Sequence, residues 1–197
     1  MQRWYVTLLL FAVLATPGLA HQNGQKLPVW KSDSAQVGNL GAEFTIQDHG
    51  VSPPRGYAMQ TKEHATRRIV AWTGKQRSDG TRPGFSIIIV TPHSGPSTDL
   101  TMDDALKMFM DETKSDMINW KQSAAEHGRI NGSEFVRAYW SGTDKASGAP
   151  LRGFYYGSVD AKSYYTLDGQ DVGTYAGKTL PLLEAAALTF REHHKAR

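Results

Sequence analysis

Cysteine is absent from the 197 residues, which excludes disulfides, zinc–thiolate sites, thiol nucleophiles and a cysteine-linked lipid anchor. Charge of one sign is scarce as well. Lys+Arg 22 against Asp+Glu 19 leaves +3, too small a surplus to argue for a nucleic-acid partner. After residue 14 no apolar run approaches the roughly 20 residues a membrane helix needs. Familiar catalytic signatures are also missing: there is no Gly-x-Ser-x-Gly elbow, no phosphate-binding glycine loop before a helix and no His-Glu-x-x-His. What is present is 40% apolar residues with 19 Gly and 9 Pro, enough for one packed domain plus a tail.

The start of the chain has the pattern of an export leader. Met1-Gln2-Arg3 is short and basic, and Trp4 to Leu14 is almost wholly apolar. Thr16-Pro17 breaks that run, and Gly18-Leu19-Ala20 places small residues at the two positions a signal peptidase inspects. Residues 1–20 are therefore expected to be a signal peptide, with an uncleaved anchor as the alternative. The mature chain then begins at His21, is periplasmic or secreted, and has no transmembrane segment. A cysteine-free exported chain fits a bacterial periplasm better than a small secreted animal domain. Residues 21–41 are expected to form a flexible N-terminal tail whose Leu27-Pro28-Val29-Trp30 patch can dock on the domain. Residues 42–193 form a single domain and 194–197 a C-terminal tail.

Within the domain the hydrophobic period changes twice. Phe44 and Ile46 alternate before the turn-rich Gly50-Val51-Ser52-Pro53-Pro54-Arg55-Gly56, and strands are expected at Tyr57–Lys62, Arg67–Lys75 and Phe85–Val90. The last of these is β-branched, bounded by Gly84 and Pro92, and reads as a central strand. Thr101 with Asp104 then forms an acidic capping box. Met102, Leu106, Phe109, Thr113, Met117 and Trp120 recur at helical spacing, which predicts a helix over 101–121. Asn131-Gly132 is a two-residue hairpin signal. Strands are expected at Phe135–Ser141, Leu151–Val159 and Ser163–Leu167, with apolar residues at both parities, so both faces of this sheet need cover. A closing helix is expected from a Thr179 cap to about His193. The fold class is α+β, a mainly antiparallel β-sheet with helices packed on it in an α/β/α sandwich.

Several stretches carry a family resemblance: Phe44-Thr45-Ile46 with Pro53-Pro54-Arg55-Gly56-Tyr57, Ile130-Asn131-Gly132 with Phe135, Arg152-Gly153-Phe154-Tyr155-Tyr156, and Leu182-Leu183-Glu184 through Thr189-Phe190-Arg191. In this order the chain resembles the PsbP-like superfamily, which includes extrinsic photosystem proteins and DcrB-like bacterial envelope proteins. The resemblance implies an exported, non-enzymatic binding or assembly protein, with no catalytic set to carry over. Tyr57 stands where the family usually has Trp, and the lipid-anchor cysteine of many bacterial relatives is absent.

Candidate sites are few. Between Lys62 and Arg82, six cations face only Glu63 and Asp79. Lys75, Arg77 and Arg82 are expected on a long hairpin loop, exposed to an envelope protein or an anionic surface. Replacing all three with Ser is expected to leave the fold intact. The alternative reading is a copper-binding protein or copper enzyme using His21, whose α-amine and imidazole would chelate Cu(II); no other cofactor is expected. An aromatic groove on the Tyr139–Tyr165 sheet, taking a sugar or lipid, is the other enzyme reading. His93-Ser94, Glu112 with Asp116, Glu192-His193-His194 and the methionines of 102–117 all have simpler explanations as turn, solvated face, chain end and core.

Overall fold

Strands with apolar side chains at both parities need cover on both faces, and the chain supplies it with two helices. The computed structural model describes residues 26–92, 100–160 and 163–193. In chain order these form α1 (Ser34–Val37), β1 (Phe44–Ile46), β2 (His49–Val51), β3 (Ala58–Glu63), β4 (Arg67–Thr73), β5 (Gly84–Val90) and α2 (Met102–Ser115). There follow β6 (Met117–Gln122), β7 (Glu126–Ile130), β8 (Ser133–Asp144), β9 (Pro150–Val159), β10 (Tyr164–Val172), α3 (Gly173–Ala187) and β11 (Arg191–Glu192). The large antiparallel sheet has the order β3-β4-β5-β10-β9-β8-β6, with β7 also paired to β8. A small sheet, β1-β2-β11, lies apart from it.

Alternation sorts the core. Phe85, Ile87, Ile89, Phe154, Tyr156, Tyr165 and Leu167 cluster with Leu183, Ala186 and Ala187 of α3 and with Phe190. Ile88, Val136, Ala138, Trp140 and Tyr155 cluster with Leu106, Phe109 and Met110 of α2. This is the expected α+β sandwich. The Asn131-Gly132 turn has φ 48 and 98, both positive as a type I′ hairpin requires. The Thr101–Asp104 capping box is formed in both directions.

Three helix boundaries differ from expectation. The first helix stops at Ser115, and 117–122 is the edge strand β6 rather than its last turns. The β6–β8 register shifts between Ile118 and Lys121, and Asn119 is left-handed at φ 55. Met117 and Trp120 therefore both pack on the α2-side core, three residues apart, because a bulge resets the alternation. That spacing imitates a helical stripe. The closing helix begins at Gly173, six residues before Thr179, and ends at Ala187, while Arg191–Glu192 pairs with β2. Thr179 lies inside the helix, its hydroxyl donating to the Asp171 carboxylate and standing 3.0 Å from the Tyr175 carbonyl. Pro181, also inside, imitates the early proline of a helix start.

Trp30 and Leu40 dock the described part of the expected tail on the domain, while most of its other residues are exposed. Trp30 N–H donates to the Arg129 carbonyl and Arg129 N–H to Pro28, both at 2.9 Å, and Val29 bridges Arg129 in parallel. The Trp30 indole fills the space over Gly128, where a Cβ would come within 2.4 Å of it. Leu40 is 6% exposed.

Candidate binding surface

The loop between β4 and β5 is closed by backbone bonds. Gly74 N–H donates to Pro83 at 2.9 Å, Arg77 N–H to Thr81 at 3.0 Å and Gly80 N–H to Arg77 at 3.0 Å. Gly80 supplies the positive φ of 81 that the tip needs. Asp79 Oδ1 accepts from the Thr81 N–H at 3.0 Å and its hydroxyl at 2.7 Å. The loop is a built turn.

Arg77 is what fastens it. Its guanidinium donates to both Asp171 oxygens at 2.7 and 2.6 Å, and the Asp171 side chain is 0% exposed. The Thr179 hydroxyl and the Val172 N–H complete the carboxylate's partners. The cation also lies 4.1 Å over the Tyr175 ring of α3. Hydrogen bonding to Asp171 holds Arg77 above its ordinary range. Burial, then the nearby Asp171 charge, pushes the Tyr57 phenol up to about 12. Arg77 is thus a strut between β10, α3 and the loop, and the triple Ser replacement would leave a buried carboxylate without its cation. Its partner is 94 residues away in sequence, so no local pattern exposes the pair.

Lys75 and Arg82 remain on the surface, Arg82 donating to Gln76 Oε1 at 2.7 Å. The fold adds two exposed cations that sequence reasoning missed. Lys178 is three residues along α3 from Tyr175, and Arg152 pairs in register with Asp171. Arg152 also reaches within 4.0 Å of where a Gly173 Cβ would stand. Only the fold brings these four residues to one end of the sheet. Asp79, on the same loop, is exposed as well. The arrangement can hold carboxylates or other anions by long-range attraction and charged hydrogen bonds.

Other polar groups are internal. Tyr139 and Tyr156 both donate to Glu184 Oε1, Tyr156 at 2.5 Å. Arg137 donates to Glu126 at 2.8 and 3.0 Å and lies 4.4 Å over Trp30. Burial and the Glu184 hydrogen bond push Tyr139 up to about 12. This network ties α3, β7, β8, β9 and the N-terminal strap together. On the opposite face, Ser86 donates to the partly buried Asp168, whose carboxyl is pushed up to about 7 by burial. Phe135, Phe154, Tyr156 and Tyr165 are at most 1% exposed and belong to the core, while Tyr139 and Trp140 line a shallow cleft of about 220 Å³ with Lys121, Ser123 and Arg152. An open cleft of about 520 Å³ lies between Val29–Ser32 and the residues following α3.

Glu112 receives Arg67 at 3.3 Å, Asp116 caps α2, and His193 Nε2 is 3.0 Å from Glu43. Among the described residues no group of three His, Cys, Asp or Glu could hold a metal ion. No described helix is long and apolar enough to cross a membrane. The expected leader, His21, His93-Ser94 and His194 lie outside the described residues.

An antiparallel sheet between α2 and α3, with the Asn-Gly hairpin and the closing helix in this order, is the PsbP-like α+β fold. Among solved structures the chain is similar to cyanobacterial PsbP (CyanoP) from Synechocystis, with a TM-score of 0.50 and 16% identity over 89% of this chain and 98% of that one. It is also similar to the Ran-binding protein Mog1p of Saccharomyces cerevisiae, with a TM-score of 0.49 and 11% identity over 77% and 94%. No family model and no curated protein matches the sequence.

Proposed function

We propose that the protein is an exported, non-enzymatic binding or assembly protein of the bacterial envelope. It engages an acidic partner through the end of the sheet bearing Lys75 and Arg82, with Lys178 and Arg152 beside them. The observation that carries the reading is the Arg77–Asp171 pair, at 2.7 and 2.6 Å. A loop fastened from beneath presents its outer cations with little ordering left to lose on binding. Arg77 is a positioning residue in this scheme. The leader pattern of residues 1–20 supports the location.

The test is affinity capture from envelope extract by the full mature chain and by a Lys75→Ser/Arg82→Ser variant, with cell fractionation and N-terminal sequencing in parallel. The expected result is an acidic partner retained by the wild type and lost by the variant, from a chain that begins at residue 21 outside the cytoplasm. Equal retention by both proteins overturns the site, and an uncleaved cytoplasmic chain overturns the location.

A further inference from the structure

The large sheet ends in strands that are treated differently, and the difference marks a docking edge. Unpaired strand edges offer a row of N–H and C=O groups to any extended chain, and folded proteins blunt them with bulges, prolines, charges or covering segments. At one side of the sheet, β6 is blunted by its register shift and the left-handed Asn119. Beside it β7 is covered by the strap, through the Val29–Arg129 bridge and two backbone hydrogen bonds of 2.9 Å. At the other side β3 has neither a bulge nor a covering segment, and its one blunting device is the charge of Lys62 and Glu63. Its register with β4 is unbroken from Ala58↔Thr73 to Glu63↔Arg68, and it contains no Pro, no Gly and no bulge. All its residues are exposed. Antiparallel geometry turns about half of a strand's backbone groups away from its one partner, and among the described residues no element pairs with that outer side.

We propose that β3 accepts an extended acidic segment of the partner as an added ninth strand. The inference rests on the reading of the basic pole above and names how the partner is held. Main-chain bonds to a sheet edge give affinity, and alternate side chains give selectivity. The charges along this edge choose the occupant. Lys62 is exposed within the strand, Arg55 is exposed just before it, and Lys75 follows Thr73, the residue paired with Ala58. The acid of the strand, Glu63, is already paired with Arg68. Lys62 shares its parity with Ala58 and Gln60, while Met59 and Thr61 occupy the other face. A segment alternating acid with a β-branched residue therefore sets carboxylates beside Lys62 and apolar groups beside Met59.

Full-length mature protein is mixed with the blocked heptapeptide Thr-Val-Glu-Val-Glu-Val-Thr, with its version carrying Gln for Glu, and with one carrying Pro for the central Val. Calorimetry reads affinity, and amide hydrogen exchange reads β3. The expected result is that the Glu peptide binds and slows exchange of β3 amides by about tenfold or more, with the Gln peptide weaker and the Pro peptide inert. Binding of the Glu peptide without β3 protection, or equal protection by the Pro peptide, overturns strand addition while leaving the basic pole standing. Equal protection by Glu and Gln peptides overturns the acidic preference. Glu-peptide affinity that survives Lys75→Ser/Arg82→Ser, with β3 still protected, supports the edge and removes the pole. No binding by any peptide overturns the inference.

Discussion

Arg77→Ser and Lys75→Ser look interchangeable on the sequence, and the structure separates them by several kcal/mol. Arg77 makes two hydrogen bonds, of 2.7 and 2.6 Å, to a carboxylate whose side chain is 0% exposed. Removing one partner of a buried pair costs about 3–5 kcal/mol because the other charge is left uncompensated. Asp171 keeps the Thr179 hydroxyl and the Val172 N–H, which moves the expectation to the lower end, about 3 kcal/mol. At about 2–4 °C per kcal/mol for a domain of this size, Tm falls by roughly 6–12 °C. Lys75→Ser and Arg82→Ser, on exposed side chains, should each stay within about 0.5 kcal/mol of wild type. Urea and thermal unfolding of the three single variants make the comparison. The double replacement Arg77→Met/Asp171→Leu should recover most of the loss, since an apolar pair of similar volume needs no charge compensation. An Arg77→Ser variant as stable as Lys75→Ser would refute the strut.

Asp168 predicts an unusual pH dependence. Its native carboxyl, raised by burial from 3.8 to about 7, holds a proton more tightly than in the unfolded chain. Its contribution is therefore full below about pH 4 and is lost as pH rises toward 7, by at most about 4 kcal/mol. Asp168→Asn should gain stability over wild type at about pH 8 and not at about pH 4; an equal difference in urea midpoint at both would contradict this. Gly128→Ala should drive Trp30 off β7, because the new Cβ would stand 2.4 Å from the indole. The expected cost is about 1–3 kcal/mol, with red-shifted tryptophan emission and faster proteolysis of the strap; unchanged emission and cleavage would show the slot to be looser than described.

What could be read locally was read. Asn131-Gly132 fixes its turn by backbone preference, Thr101 with Asp104 fixes a helix start by side-chain capping, and apolar residues at both parities fix a sheet covered twice. Misreadings arose where one local pattern imitated another. The β6 bulge gave Met117 and Trp120 a helical spacing, and Thr179, a residue type that caps helices, lies inside α3. The true start of α3 has Val172 at the cap with no side-chain hydrogen bond, so it left no polar signal. The candidate site divides the same way. Lys75 and Arg82 declare themselves as a local charge excess. Arg77's role depends on Asp171, and the addition of Arg152 and Lys178 depends on the packing of β9, β10 and α3, which no single stretch of chain encodes.

The central claim is that this end of the sheet binds an acidic partner by its exposed cations while Arg77 only holds the loop. Its most direct test is the affinity of the full chain for poly-L-glutamate, measured by calorimetry across a salt series. The comparison is with a variant carrying Ser at Lys75, Arg82, Arg152 and Lys178, Arg77 being kept. Exposed contacts are screened beyond roughly 8–10 Å at physiological ionic strength. Wild type should therefore bind at low salt and weaken steeply as salt rises, and the variant, with unchanged Tm, should bind at least about tenfold more weakly at low salt. Equal affinities and equal salt slopes for the two proteins would contradict the claim.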